Sequence, residues 1–191
     1  MQDLNYSVLV NRKHPLKKDY VPNDLFVLDN NMNNFHGYLD PTLRPMLRGD
    51  IIKDLLLMQK IAYFDGVEFI VDSGYRSYDY QQKILDYNLA LKGVDAYKTV
   101  ALPGCSEHQT GLAFDIAYLS NGFYSDKVLE SDDAVEWLME NGASYGFIQR
   151  YPKGKEEVTG FSYEPWHYRY VGKELALELT RKKITLDEYY K

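Results

Sequence analysis

The 191-residue sequence contains a single cysteine, Cys105. One cysteine excludes an intrachain disulfide and any zinc site built from several thiolates. Its neighbour is Ser106, in a loop that carries other reactive side chains, so a cysteine nucleophile has to be considered. Free cysteines are most often small, buried and inert, and we expect Cys105 to be one of these.

Long apolar runs and clusters of basic residues are also missing. No stretch approaches the roughly 20 apolar residues that cross a membrane, and residues 1–10, with Asp3, lack the apolar segment of a signal peptide. We therefore expect the chain as given to be cytoplasmic, or alternatively to be the soluble part of a longer protein of the cell envelope. The net charge of −6, without a basic stripe, argues against a nucleic-acid partner.

The sequence shows no internal repeat and no low-complexity segment. Hydrophobic residues make up 45% and charged residues 26%, which is typical of a soluble globular protein. We expect one domain over residues 1–191, since this length can bury a substantial core. Residues 1–45 are interpreted as an extended N-terminal arm with a turn or loop at Asp29–Asn34, and residues 46–191 as the core.

Hydrophobic periodicity predicts both helices and strands. Apolar residues recur at helical spacing in residues 49–64, and further helices are predicted over 79–91, from 132 and from 173, with a short final helix capped at Thr185. Strands are predicted at 67–71, after Gly111, at 147–148 and at 161–171, the last two joined as a hairpin by a charged turn at 153–160.

Two separated stretches hold residue types that bind catalytic zinc. The first is Ser106–Asp115, SEHQTGLAFD, and the second is Glu164–His167, EPWH. They supply His108, Asp115 and His167. Two imidazoles and a carboxylate are a common ligand set for catalytic zinc, and three protein ligands leave the fourth position open to water.

The spacing around Asp115 favours a loop that enters a strand. His108 and Asp115 are seven residues apart across a glycine, so they are not expected to be neighbours on one helix. The large residues Leu112, Phe114 and Ile116 alternate with small or polar ones. Alternation of this kind places Asp115 on the face of the strand opposite the large apolar side chains.

Glu164 stands three residues before His167. A carboxylate at that spacing can lie beside a metal without ligating it and can take a proton from a bound water. Taken singly, a histidine is more often a surface or satisfied core residue, and an aspartate more often a turn or cap. The metal hypothesis therefore depends on the combination of residues.

The combination resembles a known enzyme family. Its pattern S-x-H-x-x-G-x-A-x-D followed by E-x-W-H is complete here, as Ser106, His108, Gly111, Ala113, Asp115, Glu164, Trp166 and His167. Two further blocks are SGYRS with a later Gln, at Ser73–Ser77 and Gln81, and G-F-I-x-R-Y-P, at Gly146–Pro152. In this order, from about Ser73 to Gly172, the blocks resemble the zinc D-alanyl-D-alanine carboxypeptidases and dipeptidases of the VanY, VanX and VanXY type, and the related L,D-carboxypeptidases of peptidoglycan turnover.

The resemblance implies a catalytic set. A Zn2+ ion would be held by His108, Asp115 and His167, and Glu164 would act as general base. Arg76 would stabilise the oxyanion or hold the substrate carbonyl. We accordingly predict an α+β fold, in which a small antiparallel sheet carries the zinc site, helices flank the sheet and an extended N-terminal arm precedes it.

The same resemblance implies a substrate pocket. Ser106 would hydrogen-bond the terminal carboxylate of the substrate, and Gln81 and Tyr151 would complete the pocket. Trp166 is expected to pack beneath the site. The partner would be a peptidoglycan stem peptide or a D-Ala-terminated precursor.

Several activities fit these residues. The first is a carboxypeptidase that trims the terminal D-alanine from stem peptides; the second is a D-Ala-D-Ala dipeptidase or a bifunctional enzyme of the glycopeptide-resistance type. A third is a zinc-bearing binding module without turnover, as in the hedgehog signalling domains. Glu164 argues against the third, since a binding site needs no base. Phage endolysins share the motif, but no cell-wall-binding domain is recognisable here.

Overall fold

The computed structural model describes residues 5–28, 44–120, 123–125 and 132–191. The α-helices in this part of the chain are α1 Gly49–Phe64, α2 Tyr78–Lys92, α3 Asp133–Asn141, α4 Glu156–Thr159, α5 Lys173–Lys182 and α6 Leu186–Tyr189. The strands are β1 Leu25–Val27, β2 Met46–Arg48, β3 Phe69–Ser73, β4 Ala113–Ser120, β5 Phe123–Ser125, β6 Phe147–Gln149 and β7 His167–Tyr170. Short 3₁₀ helices lie at Gly93–Lys98, Glu107–Thr110 and Gly142–Tyr145.

A five-stranded antiparallel sheet organises the chain. Its strands follow the order β3-β4-β7-β6, and β5 also pairs with β4. Strands β1 and β2 form a separate antiparallel pair. Helices and small antiparallel sheets in one chain confirm the predicted α+β class.

One face of the five-stranded sheet carries the main apolar core. Phe114 on β4 stacks on Tyr168 of β7, with ring centroids 6.0 Å apart, and meets the edge of Phe147 on β6. The buried residues Ile51 and Leu55 of α1 belong to the same cluster. Because side chains alternate across a strand, the residues between these positions face the other way.

The register between β4 and β7 fixes two of the predicted site residues. Asp115 pairs directly with His167 across the two strands. Directly opposed residues have Cβ atoms about 5 Å apart on the same face. His108 comes from the 3₁₀ helix that immediately precedes β4.

Several predicted elements are confirmed. Helix α1 covers the predicted residues 49–64, and α2 exceeds the predicted 79–91 by one residue at each end. The last helix, α6, begins with a capping box between Thr185 and Glu188. Strand β3 lies two residues later than predicted, and the loop predicted before the strand of Asp115 contains the 3₁₀ helix Glu107–Thr110.

The predicted long strand over 161–171 is wrong. Only His167–Tyr170 forms a strand, and Glu164 lies in the turn before it, where its N–H donates to the carbonyl of Tyr151 at 3.1 Å. Pro165 has no N–H to contribute to a ladder, which prevents the strand from beginning earlier. The predicted charged turn contains the short helix α4.

The described part of the N-terminal arm, residues 5–28, contacts the rest of the chain closely. The amide of Gln109 donates to the carbonyls of Lys17 and Tyr20 at 2.9 and 3.1 Å. The predicted loop at Asp29–Asn34 lies outside the described residues. Among the helices that the structure describes, none has the length and apolar character that crossing a membrane requires.

Candidate active site

All eight predicted site residues line one cavity of about 160 Å³. They are Arg76, Gln81, Ser106, His108, Asp115, Tyr151, Glu164 and His167. Four separate segments of the chain therefore meet at this point, on the face of β4 and β7 that is turned away from the main core.

His108, Asp115 and His167 form a compact group of ligand atoms. One such atom from each residue lies within 4.8 Å of the others. His167 Nδ1 is 3.0 Å from Asp115 Oδ1, and His108 Nε2 is 3.3 Å from both of these atoms. Two imidazole nitrogens and a carboxylate oxygen converging in this way suit a small divalent cation such as zinc.

A backbone carbonyl fixes the orientation of His108. The ring lies with Nδ1 2.6 Å from the carbonyl oxygen of Gly74, and since that oxygen can only accept, Nδ1 carries the proton. Nε2 is then the unprotonated nitrogen and faces Asp115. Gly74 lies so close to the carbonyl oxygen of Met46 that a Cβ would clash with it. Glycine at position 74 therefore allows the backbone to approach β2 this closely.

The guanidinium of Arg76 lies against the unprotonated nitrogen of His108 and the carboxylate of Asp115. Its Nη2 is 2.5 Å from Asp115 Oδ2 and 2.6 Å from His108 Nε2. The guanidinium is held from behind, since Nε donates to Ser73 Oγ at 3.2 Å and Nη1 to Gln81 Oε1 at 3.4 Å. The arrangement aims a fixed cationic donor into the cavity.

Glu164 stands beside the ligand group rather than within it. Its Oε2 is 4.0 Å from His167 Nδ1, and the residue is only 5% exposed. Burial raises the pKa of Glu164 to about 7, with a further contribution from the negative charge of Asp115. A carboxylate of this kind can exchange a proton near neutral pH.

The two site histidines have opposite pKa shifts. Burial and the charge of Arg76 lower the pKa of His108 to about 4. Burial also lowers the pKa of His167, but the carboxylates of Asp115 and Glu107 outweigh it and raise the pKa to about 9. Without a metal, the negative charges of Asp115 and Glu107 therefore favour a proton on His167.

The remaining predicted residues surround this centre. Gln81 is buried, and its amide donates to the carbonyl of Ala101 at 2.9 Å while it accepts from the guanidinium of Arg76. The ring of Tyr151 lies over His167, with centroids 4.9 Å apart. Ser106 is buried at the cavity wall, and Trp166 both lines the cavity and packs against the main core.

Comparisons with known proteins identify the family. The sequence profile of the VanY D-alanyl-D-alanine carboxypeptidases matches residues 44–173. The chain belongs to this family. The predicted resemblance is thereby confirmed, and with it the prediction of a metallopeptidase rather than a binding module.

Individual relatives of this VanY-family chain cover nearly all of it. The bifunctional D-Ala-D-Ala dipeptidase and carboxypeptidase VanXYC of Enterococcus gallinarum is 36% identical over 198 residues, which is 98% of this chain and 94% of that protein. The LD-carboxypeptidase LdcB is 43% identical with a TM-score of 0.83, over 95% of this chain and 84% of that one. The vancomycin-resistance D,D-pentapeptidase VanY from a VanB-type cassette, solved with Zn(II), is 36% identical with a TM-score of 0.78, over 97% and 99%.

Sequence reasoning missed three charged residues behind the site. Glu107, Arg150 and Arg169 are buried together, with both guanidiniums donating to Glu107. Burial raises the pKa of Glu107, but the two arginines outweigh it and hold that pKa well below its usual range. The available signal was that Glu107 and Arg150 lie inside two of the blocks quoted above, SEHQ and FIQRYP, whereas Arg169 gave no such signal.

Proposed function

We propose that the chain is a zinc-dependent carboxypeptidase that removes the C-terminal D-alanine from peptidoglycan stem peptides or their precursors. One observation carries the proposal: the ligand atoms of His108, Asp115 and His167 converge within 4.8 Å of one another beside the buried carboxylate of Glu164. Membership of the VanY family supports the substrate class. The Zn(II) of the VanY structure supports the choice of metal.

His108 Nε2, Asp115 and His167 Nδ1 would hold the ion. Zinc with three protein ligands supplies a bound water of lowered pKa and polarises a carbonyl group. The donor set fits this metal, because neutral imidazoles and one carboxylate are its ordinary ligands, and the proton on His108 Nδ1 leaves Nε2 free to bind.

Glu164 is assigned as the general base. Its carboxylate takes a proton from the attacking water and returns it to the leaving amine. Burial brings its pKa to about 7, close to the operating pH, and this favours transfer in both directions. Its 4.0 Å distance from His167 Nδ1 suits a neighbour of the ligand group.

Arg76 is assigned to the oxyanion and Ser106 to the substrate carboxylate. A guanidinium already fixed by Ser73 and Gln81 is prepared for charge that develops on the carbonyl oxygen. Gln81 and Tyr151 then act as walls that hold Arg76 and His167 in place. A cavity of about 160 Å³ suits a small terminal residue such as alanine.

The VanXYC relative supports a second activity, hydrolysis of free D-Ala-D-Ala. The test is incubation of zinc-loaded protein with three substrates: D-Ala-D-Ala, a pentapeptide ending in D-Ala-D-Ala, and a tetrapeptide ending in an L,D bond. Release of D-alanine from the pentapeptide alone supports the carboxypeptidase. Release from the dipeptide as well supports the bifunctional enzyme, release from the tetrapeptide alone indicates L,D specificity, and no release from any substrate refutes the proposal.

We further propose that residues 1–191 fold as one domain, with 46–191 as the catalytic core and 1–45 as an arm. The pairing of β1 with β2 and the hydrogen bonds from Gln109 to the arm support this. A cytoplasmic location, or alternatively one in the cell envelope, stays a prediction, as does the absence of a nucleic-acid partner. Cell fractionation distinguishes the two compartments.

A further inference from the structure

A buried carboxylate lies behind His167, on the side away from the ligand group. Glu107 is 1% exposed, and its Oε1 accepts from Arg150 Nε at 2.7 Å and from Arg169 Nη1 at 2.8 Å. Its other oxygen, Oε2, has no hydrogen-bond partner among the described residues, and neither does His167 Nε2. These two buried polar atoms lie 3.6 Å apart.

The position of Glu107 determines which nitrogen of His167 is available. His167 Nδ1 faces Asp115 Oδ1 and His108 Nε2, whereas Nε2 faces Glu107. A carboxylate can only accept, so without metal both ring nitrogens direct a proton toward a carboxylate, Nδ1 toward Asp115 and Nε2 toward Glu107. A bound cation would take the place of the proton on Nδ1, whereas the proton on Nε2 would stay with Glu107. The 3.6 Å separation exceeds a hydrogen bond by a few tenths of an ångström, so that a small tilt of the ring closes it.

The two arginines that donate to Glu107 are themselves held by residues near both ends of the chain. Arg150 Nη1 donates to Asp187 Oδ2 in α6 at 2.6 Å. Arg169 Nη2 donates to the carbonyls of Tyr6 and Val8 in the N-terminal arm, at 2.7 and 2.9 Å. Buried charges that are paired in this way have little freedom to move.

We propose that Glu107 is a positioning residue of the metal site, which holds the Nε2 proton of His167 and so presents Nδ1 to the ion. Arg150, Arg169 and Asp187 fix Glu107 in that position. The inference rests on the proposed zinc ligands. It differs from a merely structural role, in which Glu107 only neutralises two buried guanidiniums, because that role does not involve the proton of His167.

The test uses Glu107→Asp, which keeps the charge for both arginines but draws the carboxylate back by one methylene. Zinc affinity is measured by competition with a chromophoric chelator, on protein whose fold is checked by circular dichroism. We expect zinc to bind roughly 10- to 100-fold more weakly, as when the outer partner of a metal-bound histidine is lost. Asp187→Asn should give a value between that of Glu107→Asp and the parental one.

Lys155→Gln is the matched control. It removes the ion pair between Lys155 Nζ and Glu188 Oε1, which are 2.8 Å apart. Glu188 lies on the same short helix as Asp187, but this ion pair is outside the chain of contacts that reaches Glu107. Its zinc affinity should equal the parental value. A loss as large as that of Glu107→Asp would assign the effect to the anchoring of α6 and would overturn the proposal.

The second readout is the histidine proton itself. The chain has only four histidines, so ¹⁵N-histidine NMR of the zinc-loaded protein can resolve His167. We expect a protected Nε2 proton in the parent and an upfield-shifted, faster-exchanging one in Glu107→Asp, with His108 unchanged. A structural role alone would lower the melting temperature and leave both readouts at parental values.

The outcomes separate the two proposals. A parent that binds no zinc refutes the ligand set of the proposed function. A parent that binds zinc, together with parental zinc affinity and a parental His167 proton in every variant that folds, refutes the role of Glu107 alone. Asp187→Asn leaves the Glu107 side chain intact and keeps the test decisive should Glu107→Asp not fold.

Discussion

Replacing Glu164 by glutamine tests the general base directly. Glutamine keeps the size and reach of the side chain but cannot accept the proton of the attacking water. Since Glu164 stands beside the ligand group and Oε2 is 4.0 Å from His167 Nδ1, the amide should leave the metal ligands in place. The variant should therefore fold, bind zinc and bind substrate as the parent does.

The general-base role sets the size of the expected loss in turnover. Burial and the charge of Asp115 bring the pKa of Glu164 to about 7, where a general base works most effectively. A well-placed base contributes roughly 10²- to 10⁴-fold to the rate, which corresponds to about 2.7–5.4 kcal/mol of transition-state stabilisation. A neutral amide at position 164 also lacks the repulsion between the carboxylates of Glu164 and Asp115. Substrate binding is therefore not expected to weaken.

The assay measures D-alanine release from a D-Ala-terminated pentapeptide, with zinc content determined on the same samples. Glu140→Gln on the exposed side of α3 makes the same chemical change away from the cavity and should keep parental kcat. A Glu164→Gln enzyme with parental kcat would remove Glu164 from the mechanism. Loss of zinc in parallel with activity would instead make Glu164 a ligand.

Four further predictions follow from the same geometry. His108→Ala and His167→Ala should each lose most bound zinc in metal analysis, and full stoichiometric zinc in both would refute the ligand set. Arg76→Ala should retain zinc but lose roughly 10²- to 10³-fold in kcat/KM, the effect of removing one oxyanion donor; an unchanged value contradicts that role. Amidation of the peptide's C-terminus should abolish cleavage if Ser106 binds the carboxylate, whereas equal rates on the free acid and the amide would exclude it. Gly74→Ala should lower the free energy of unfolding by about 1–3 kcal/mol, because the added Cβ meets a backbone carbonyl of β2; denaturant unfolding at parental stability would contradict this.

Local sequence patterns were sufficient to predict the orientation of Asp115 in the candidate site and the bounds of α1. The alternation around Phe114 placed Asp115 on the face away from the core, and β4 has that orientation. The helical spacing in residues 49–64 predicted α1 to the residue. These predictions hold because each depends on side chains a few positions apart, whose periodicity reflects burial of one face.

Contacts between distant segments could not be predicted from local sequence patterns. The register that sets Asp115 opposite His167 depends on how β4 and β7 align, and neither strand specifies this alone. The buried partners of Glu107 come from positions more than forty residues away, so nothing in its local sequence indicated them. The predicted strand over 161–171 includes Glu164, whereas Pro165 keeps this residue in a turn.

The location of Glu164 in that turn suits the chemistry better than the predicted strand. On a strand, residues 164 and 167 would point to opposite faces, because side chains alternate with a period of two. The hydrogen bond from the His167 N–H to the Glu164 carbonyl, at 3.3 Å, closes the chain into a turn and brings both side chains to one cavity. His167 is then held by the ladder, while Glu164, outside it, can lie beside the ligand group without becoming part of it.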